Sequence, residues 1–328
     1  MDIITVGSAM QDLAVTPVTP AVFETEFRNY SYWEASTGGD AMNVANACAR
    51  IGVQVGCICK VGDDVFGRSI REISEKAHVD MSHMVVVPDG KSTLSLHLLD
   101  GKGARHSAFN LDPKTSLTEA DIDYDYIKTA KIVHYGSIHL CPEMEAEDGV
   151  TAMFRKCHEL GVETSIDVSG TEDLSGRAAT GFEKIRNALY HTDYFLPSWD
   201  EATDISGKNT CEEIVDFFRP YGMKMMLIKM GPKGCYVSDF KEGRMIPTFP
   251  VELAIDTIGC GDSFCAGFLS AITWGWSIWE AVVFANAVGS MNCQVVGATF
   301  GVRPKEEVMA YIKERIDCVP EDLRARFA

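Results

Sequence analysis

The chain has 328 residues, with 30 Lys plus Arg against 47 Asp plus Glu, a formal net charge of −17. That balance argues against a nucleic-acid binder, which needs clustered Lys and Arg to neutralise phosphates; it leaves room for an anion held locally by backbone N–H groups. Hydrophobic residues at 46% and charged residues at 23% are globular proportions, and the length fits one large α/β domain or two small ones.

Strand-like and helix-like segments alternate, which predicts a mostly parallel central sheet with helices on both faces. Ile3 to Val6 is a short apolar strand ending at Gly7. Asp40 to Ile51 reads as a helix stopped by Gly52, with Ala41, Val44, Ala45 and Cys48 on one face. Val55 to Val61 is expected as a strand and Phe66 to Ala77 as a helix. Ile132 to Tyr135, Thr164 to Ile166, Tyr194 to Leu196 and Met226 to Met230 suit strands buried on both faces. Helical patterns cover Gly149 to Leu160, Phe182 to Tyr190 and Cys211 to Phe218, the last with Thr210 and Glu213 spaced for a capping box. Val251 to Ile255 looks like a further strand. Gly261 to Trp274 and Ile278 to Val295 are helical and apolar, and Pro304 opens a final helix with Glu306 and Glu307 in its first turn.

Two segments, about 13–36 and 91–112, break this rhythm. The first has two prolines, several aromatics and no helical period. The second contains Ser92 to Asp100, which alternates polar and apolar residues before the Gly101 to Gly103 turn. Such alternation implies a sheet with one wet face. We expect a small antiparallel sheet that covers a cleft as a lid and pairs with a second copy through its exposed face.

The chain opens Met-Asp-Ile-Ile without a basic stretch before an apolar run, and no apolar run reaches the ~18 residues of a membrane span. The 11 cysteines are scattered, with Cys57-x-Cys59 the closest pair and no CxxC. Free buried thiols in a reducing cytoplasm are the expectation, with no membrane and no nucleic-acid partner.

Two motifs carry chemistry. In Asp256-Thr257-Ile258-Gly259-Cys260-Gly261-Asp262-Ser263-Phe264, two glycines open a helix whose free N–H groups and dipole favour an anion. Asp262 would repel phosphate there unless it takes a proton from a hydroxyl attacking that phosphate. A Gly-rich turn with Asp262 as a dipole partner accounts for the same residues. In Thr37-Gly38-Gly39-Asp40-Ala41-Met42-Asn43, paired glycines precede a helix whose first turns carry Asp40 and Asn43. Both can bond hydroxyls at a helix mouth, and Asp40 can equally be a simple cap.

The first motif resembles the C-terminal signature of the PfkB carbohydrate kinases of the ribokinase-like superfamily, with Ile258 and Cys260 as departures. Gly38 to Gly52 resembles the N-terminal signature, and Val61 to Gly67 and Lys229 to Gly234 match further family segments in order. The resemblance covers nearly the whole chain and implies a single ribokinase-like domain over residues 1–328. It implies that Asp262 is the catalytic base and that Gly259, Cys260 and Gly261 form an anion hole. Asp12, Gly39, Asp40 and Asn43 would hold sugar hydroxyls. Lys229, Gly231, Gly234 and Asn286 would lie at the nucleotide. Glu201 would support magnesium through water, although Ser198 replaces the Asn that the family usually carries three residues before it. ATP and Mg²⁺ are the implied cofactors, and the backbone near Asp256 with the Val296 to Gly301 loop is a candidate K⁺ site. Arg105 on the lid could reach a substrate carboxylate or phosphate, or the triphosphate, or remain a surface charge. His97 and His106 read as lid-surface residues, and Trp33 stands near the Gly38 mouth.

The implied activity is ATP-dependent phosphorylation of a hydroxyl on a small carbohydrate, of the fructokinase or ribokinase kind. A nucleoside kinase of the same superfamily, which would need an aromatic platform, and a 2-keto-3-deoxygluconate kinase stay open. So does a sugar-binding protein without catalysis, which would most easily have lost Asp262. A dinucleotide oxidoreductase is disfavoured because Gly7-Ser8-Ala9 lacks the G-x-G-x-x-G turn.

Overall fold

In the computed structural model, which describes residues 1–100, 105–136, 138–146, 148–168 and 180–328, the short apolar runs pair into one eight-stranded sheet. Its order is Gly243–Ile246, Cys235–Ser238, Met225–Lys229, Tyr194–Phe195, Glu163–Ile166, Ile132–Tyr135, Ile3–Val6 and Val55–Ile58. From Met225–Lys229 to Val55–Ile58 every pairing is parallel; the two pairings at the other end are antiparallel. Successive side chains of a strand point to opposite faces, so Ile3 joins one core with Met42 and Cys265 while Ile4 joins the other with Val150 and Phe154. Burial on both faces explains why these strands read as continuous apolar runs.

Helices Asp40–Ile51, Cys260–Thr273 and Ile278–Asn292 fill the first core, and Gly149–Glu159 and Cys211–Phe218 the second. Asp40–Ile51 begins after Gly39 and ends at Gly52, whose φ of 105° belongs to the left-handed region that glycine adopts at a helix end.

Three expected elements differ. Val55 to Val61 is not one strand: Val55–Ile58 joins the main sheet, and Lys60–Gly62 pairs separately with Val85–Val87. Phe182 to Tyr190 divides into helix Thr180–Ile185 and the 3₁₀ turn Ala188–His191. Val251 to Ile255 is not a strand; Leu253 and Ile255 are exposed, and the N–H groups of Ile255 and Asp256 both reach Cys293 O (2.8 and 3.1 Å) rather than a ladder.

The lid is a separate four-stranded sheet, Tyr32–Gly38, Met10–Thr16, Thr93–Leu99 and Arg105–Phe109 in that order. It is mixed rather than antiparallel, because Met10–Thr16 and Thr93–Leu99 run parallel. The chain passes through Asp40–Ile51, Val55–Ile58 and Val65–Lys76 between them, a crossover long enough to bring the second strand back in the same direction. Register puts Asp12, Ser36 and Ser95 on one face, with Ala14, Glu34 and His97. Leu13, Ala35 and Leu96 take the other, with Val15, Trp33 and Leu98.

Candidate active site

The parallel strands end toward one side, and the site lies there, as ligand clefts in open α/β sheets do. Gly7 follows Ile3–Val6, Asp167 follows Glu163–Ile166, Ser198 follows Tyr194–Phe195, and Lys229 closes Met225–Lys229.

Helix Cys260–Thr273 enters this region through Gly259, which has φ 66° and no room for a Cβ because the Ala298 carbonyl oxygen fills that position. Ser263 N–H makes the first helical bond, to Gly259 O at 2.8 Å. Gly261 and Asp262 therefore carry N–H groups ahead of the helical ladder, whereas the Cys260 N–H turns back to Thr257 O at 3.3 Å. Of the three expected anion-hole residues, Cys260 thus spends part of its donor capacity on the turn.

Asp262 accepts a 2.8 Å hydrogen bond from Asn43 Nδ2, which joins the two sequence motifs across 219 residues. Burial in the cleft floor, then the Asp40 charge, hold the Asp262 carboxyl well above the usual carboxylate range; Asn43 and Lys229 oppose that rise. Asn43 Oδ1 is buried without a partner, so the Asp40–Ile51 mouth retains an acceptor for a ligand hydroxyl.

Asp12 faces the same mouth from the lid. Its carboxylate lies where a Cβ on Gly38 would stand, so only glycine fits opposite it. His97 Nε2 approaches Asp12 Oδ1 at 3.4 Å, and its Nδ1 meets Ser107 Oγ at 2.8 Å. His97 is therefore a cleft-face residue and not a lid-surface one, while His106 shares the opposite face with Leu98. Trp33 also takes that opposite face and is 58% exposed, so it is no platform at the Gly38 mouth. Arg105 opens a lid strand, but its side chain lies outside the described residues, as do residues 101–104.

On the side where the resemblance places the nucleotide, Lys229 Nζ sits 2.6 Å from both oxygens of Asp167 and 3.5 Å from where a Cβ on Gly261 would be. Burial works against the Lys229 charge, but Asp167, Cys265 and Glu201 together hold it above the ordinary lysine value. Cys265 Sγ in turn bonds Asp167 Oδ2 at 3.2 Å. Gly231 and Gly234 flank the 3₁₀ turn that follows Lys229, closed by Met230 N–H to Gly234 O at 2.8 Å. Asn286 is 4% exposed and its Nδ2 bonds Ile246 O and Pro247 O, both at 3.1 Å. Its amide donors anchor the sheet edge, leaving only Oδ1 for a ligand.

Ser198 and Glu201 form a complete capping box: Glu201 N–H reaches Ser198 Oγ (3.3 Å) and Ser198 N–H reaches Glu201 Oε2 (2.7 Å). Glu201 is pushed up to about 7 by burial, with Asp167 adding to the shift and Lys229 opposing it. Asp256 accepts from Ile258 N–H and Gly297 N–H, both at 2.9 Å, so its two oxygens clamp the candidate K⁺ loop to the anion-hole loop. Among the described residues no three His, Cys, Asp or Glu side chains converge as a metal cage. Glu201, beside Asp167 and Lys229, is a carboxylate of the kind that magnesium carried on nucleotide phosphates needs, one or two from the protein.

Asp167 and Cys265 carry no signal in the sequence beyond a carboxylate following a buried strand and a thiol on an apolar helix. Neither has a spacing relationship with Lys229 until the sheet assembles.

The family model described as pfkB family carbohydrate kinase matches residues 1–305. A probable chloroplastic fructokinase of Arabidopsis thaliana is 32% identical over 84% of this chain and 74% of its own length. The 2-dehydro-3-deoxygluconokinase of Bacillus subtilis is 27% identical, covering 86% and 88%. Among solved structures, a fructokinase with bound ATP from Xylella fastidiosa aligns with a TM-score of 0.83 at 20% identity, over 96% of this chain and 99% of that one. A Vibrio cholerae fructokinase with fructose, ADP and a potassium ion aligns with a TM-score of 0.79 at 23% identity, over 95% and 98%. With the signatures, their order and the ribokinase-like architecture all in agreement, the chain belongs to the pfkB family of carbohydrate kinases.

Proposed function

We propose that the protein transfers the γ-phosphoryl group of ATP to a hydroxyl of a small neutral sugar, with fructose the first candidate. The observation that carries this reading is the Asn43–Asp262 hydrogen bond. It sets one carboxylate between a hydroxyl-binding helix mouth and the N-terminus of an anion-binding helix.

In the proposed mechanism Asp12, Asp40 and Asn43 orient the sugar. Asp262 takes the proton of the attacking hydroxyl. Gly261 and Asp262 N–H groups and the Lys229 ammonium meet the charge on the phosphoryl group. Magnesium arriving with ATP supplies charge neutralisation at the phosphates, and Glu201 is the carboxylate that would hold it. The lid excludes water so that phosphoryl transfer outpaces hydrolysis.

Among the described residues, which do not include the Arg105 side chain, electrostatics favour a neutral acceptor over a sugar acid. Asp12, Asp40 and Asp262 line the mouth, and Lys60 nearby is already paired with Asp121 at 2.9 Å. The Arabidopsis relative named as a probable fructokinase supports fructose, and the Bacillus relative keeps 2-keto-3-deoxygluconate as the second reading. The reading extends to a cytoplasmic homodimer. Eleven free thiols support that compartment, and among the described residues no helix is long and apolar enough to cross a membrane. The apolar lid face, with Leu96 38% and Trp33 58% exposed, supports pairing of two copies. The potassium ion named with the Vibrio structure supports monovalent-cation use.

A coupled assay of ADP release with fructose, ribose, 2-keto-3-deoxygluconate and nucleosides tests the reading. Fructose should give the highest kcat/KM, and ADP release that no sugar stimulates would refute it.

A further inference from the structure

A second cavity, of about 470 Å³, lies outside the catalytic cleft, between helix Asp40–Ile51, the end of helix Val65–Lys76, lid strand Tyr32–Gly38 and the loop through Phe300. That volume suits a small metabolite. We propose that it is an effector site for a small phosphate monoester, with the phosphate held at Arg50 and the hydroxylated remainder at Asn46 and Thr37.

The charge in the cavity runs against that of the chain. Arg50, Lys76 and His78 line it, and no Asp or Glu does among the described residues, although the whole protein carries −17. No carboxylate pairs with Arg50 among the described residues. Its guanidinium instead lies 5.5 Å from the Phe300 ring centre, and Arg303 is close enough to oppose its charge. Arg50 Nε is buried without a hydrogen-bond partner. A buried cationic donor left unmade costs more than one bonded to an anion, so an anionic acceptor brought by a ligand would relieve this cost. Among the described residues Lys76 has only an exposed partner, Glu72 at 2.6 Å, a pair of little energy that leaves the ammonium available.

The remainder of the cavity is polar in a different sense. Asn46 is 5% exposed and its Nδ2 donates to Thr37 Oγ at 2.9 Å, while its Oδ1 has no partner. Turning the amide over would satisfy Oδ1 and strand Nδ2, so one atom of this buried amide is unmatched in either orientation. A ligand hydroxyl, which both donates and accepts, matches either case. Bare phosphate would fill only a fraction of the volume and leave Asn46 unmet.

The walls connect this cavity to both ends of the catalytic cleft. Thr37 leads directly into Gly38, Gly39 and Asp40. Ala298 on the opposite wall packs its carbonyl against Gly259, and that carbonyl accepts from Asn292 Nδ2 at 2.9 Å. An occupant pressing on either wall therefore bears on the sugar mouth or on the anion hole.

The test is calorimetric titration of the full chain with glucose 6-phosphate, inorganic phosphate and glucose, with magnesium and a nonhydrolysable ATP analogue present to occupy the nucleotide site. We expect saturable binding of glucose 6-phosphate, weaker binding of inorganic phosphate, and none of glucose. Arg50→Gln should weaken the ester by about tenfold or more, as loss of a charge-assisted bond does. Lys76→Glu, an exposed change that leaves folding intact, should weaken it severalfold. Equal affinity for phosphate and ester would identify the free ion as the ligand and overturn the monoester assignment. Binding unchanged in both variants, or no saturable binding, overturns the site. ADP release measured across a titration of glucose 6-phosphate reads the coupling; a change in wild type whose midpoint moves to severalfold higher concentration in Lys76→Glu supports the effector role, and no change in wild type, or a midpoint that Lys76→Glu leaves in place, overturns it. These binding measurements do not depend on which sugar, if any, the catalytic cleft phosphorylates.

Discussion

Replacing Asp262 by Asn preserves the shape of the side chain and the acceptor that Asn43 Nδ2 reaches at 2.8 Å, but removes the ability to take a proton. General-base loss costs about 10²–10⁴-fold in turnover, or roughly 3–5 kcal/mol of barrier. The effect on stability has the opposite sign. Burial and the Asp40 charge raise the folded-state carboxyl well above its ordinary value of 3.8. The folded protein therefore holds this proton over a pH range where the unfolded chain has released it. Stability falls as pH rises through that range, and every tenfold difference in proton affinity between the folded and unfolded states is worth about 1.4 kcal/mol. Above the ordinary carboxylate range the acid therefore carries a cost in the folded state that the neutral amide does not impose. Asp262→Asn should thus lose turnover while its melting temperature stays level or rises, with a flatter dependence on pH above the ordinary carboxylate range. Measuring kcat, ATP affinity and melting temperature against pH on this one variant separates a catalytic carboxylate from a structural one. A variant that keeps more than about a tenth of wild-type turnover, or whose loss follows a fall in melting temperature, refutes the mechanism.

Asp12→Ala and Asp40→Ala should each raise the sugar KM about 5- to 150-fold and leave the ATP KM nearly unchanged, because unmet ligand hydroxyls cost about 1–3 kcal/mol; steady-state kinetics with both substrates varied checks this. Lys229→Met leaves the Asp167 carboxylate without its 2.6 Å partner and should cost about 3–5 kcal/mol of stability. Adding Asp167→Asn should restore part of that loss, as read by a denaturation cycle on the four proteins. Glu201 is raised to about 7, so if its ionised form supports the metal, turnover should fall as pH drops through 7. Glu201→Gln should lower the magnesium response and remove that titration from the kcat profile.

Features written into neighbouring residues are legible before folding; features that depend on which distant segment arrives are not. The Asp40–Ile51 helix is bounded to the residue because glycines stand at both its ends. The apolar runs predict the main sheet because burial on both faces leaves no other composition for them. Val251 to Ile255 has the same apolar content, yet Leu253 and Ile255 lie on the surface at 69% and 55% exposure. Composition reports what a segment could bury, and the fold decides whether anything covers it. The lid alternation is legible, but its polar row faces the cleft and so His97 does too, which requires knowing that Thr93–Leu99 pairs with Met10–Thr16. Asp167 gives no sequence signal because its partner Lys229 is 62 residues away. Two of the capping-box patterns sharpen the distinction. Thr210 to Glu213 has the spacing of a box, but the exposed Glu213 carboxylate bonds the Thr210 hydroxyl at 2.9 Å and not its N–H. Ser198 to Glu201 has the same spacing and closes both bonds. Glu201 is held in the cleft beside Lys229 and largely removed from water, whereas the exposed Glu213 has water to choose instead. The same four-residue pattern therefore marks a helix start in both places, and what stands beside its carboxylate is decided by distant segments: Glu201 has Lys229 and Asp167 as neighbours, and Glu213 is exposed.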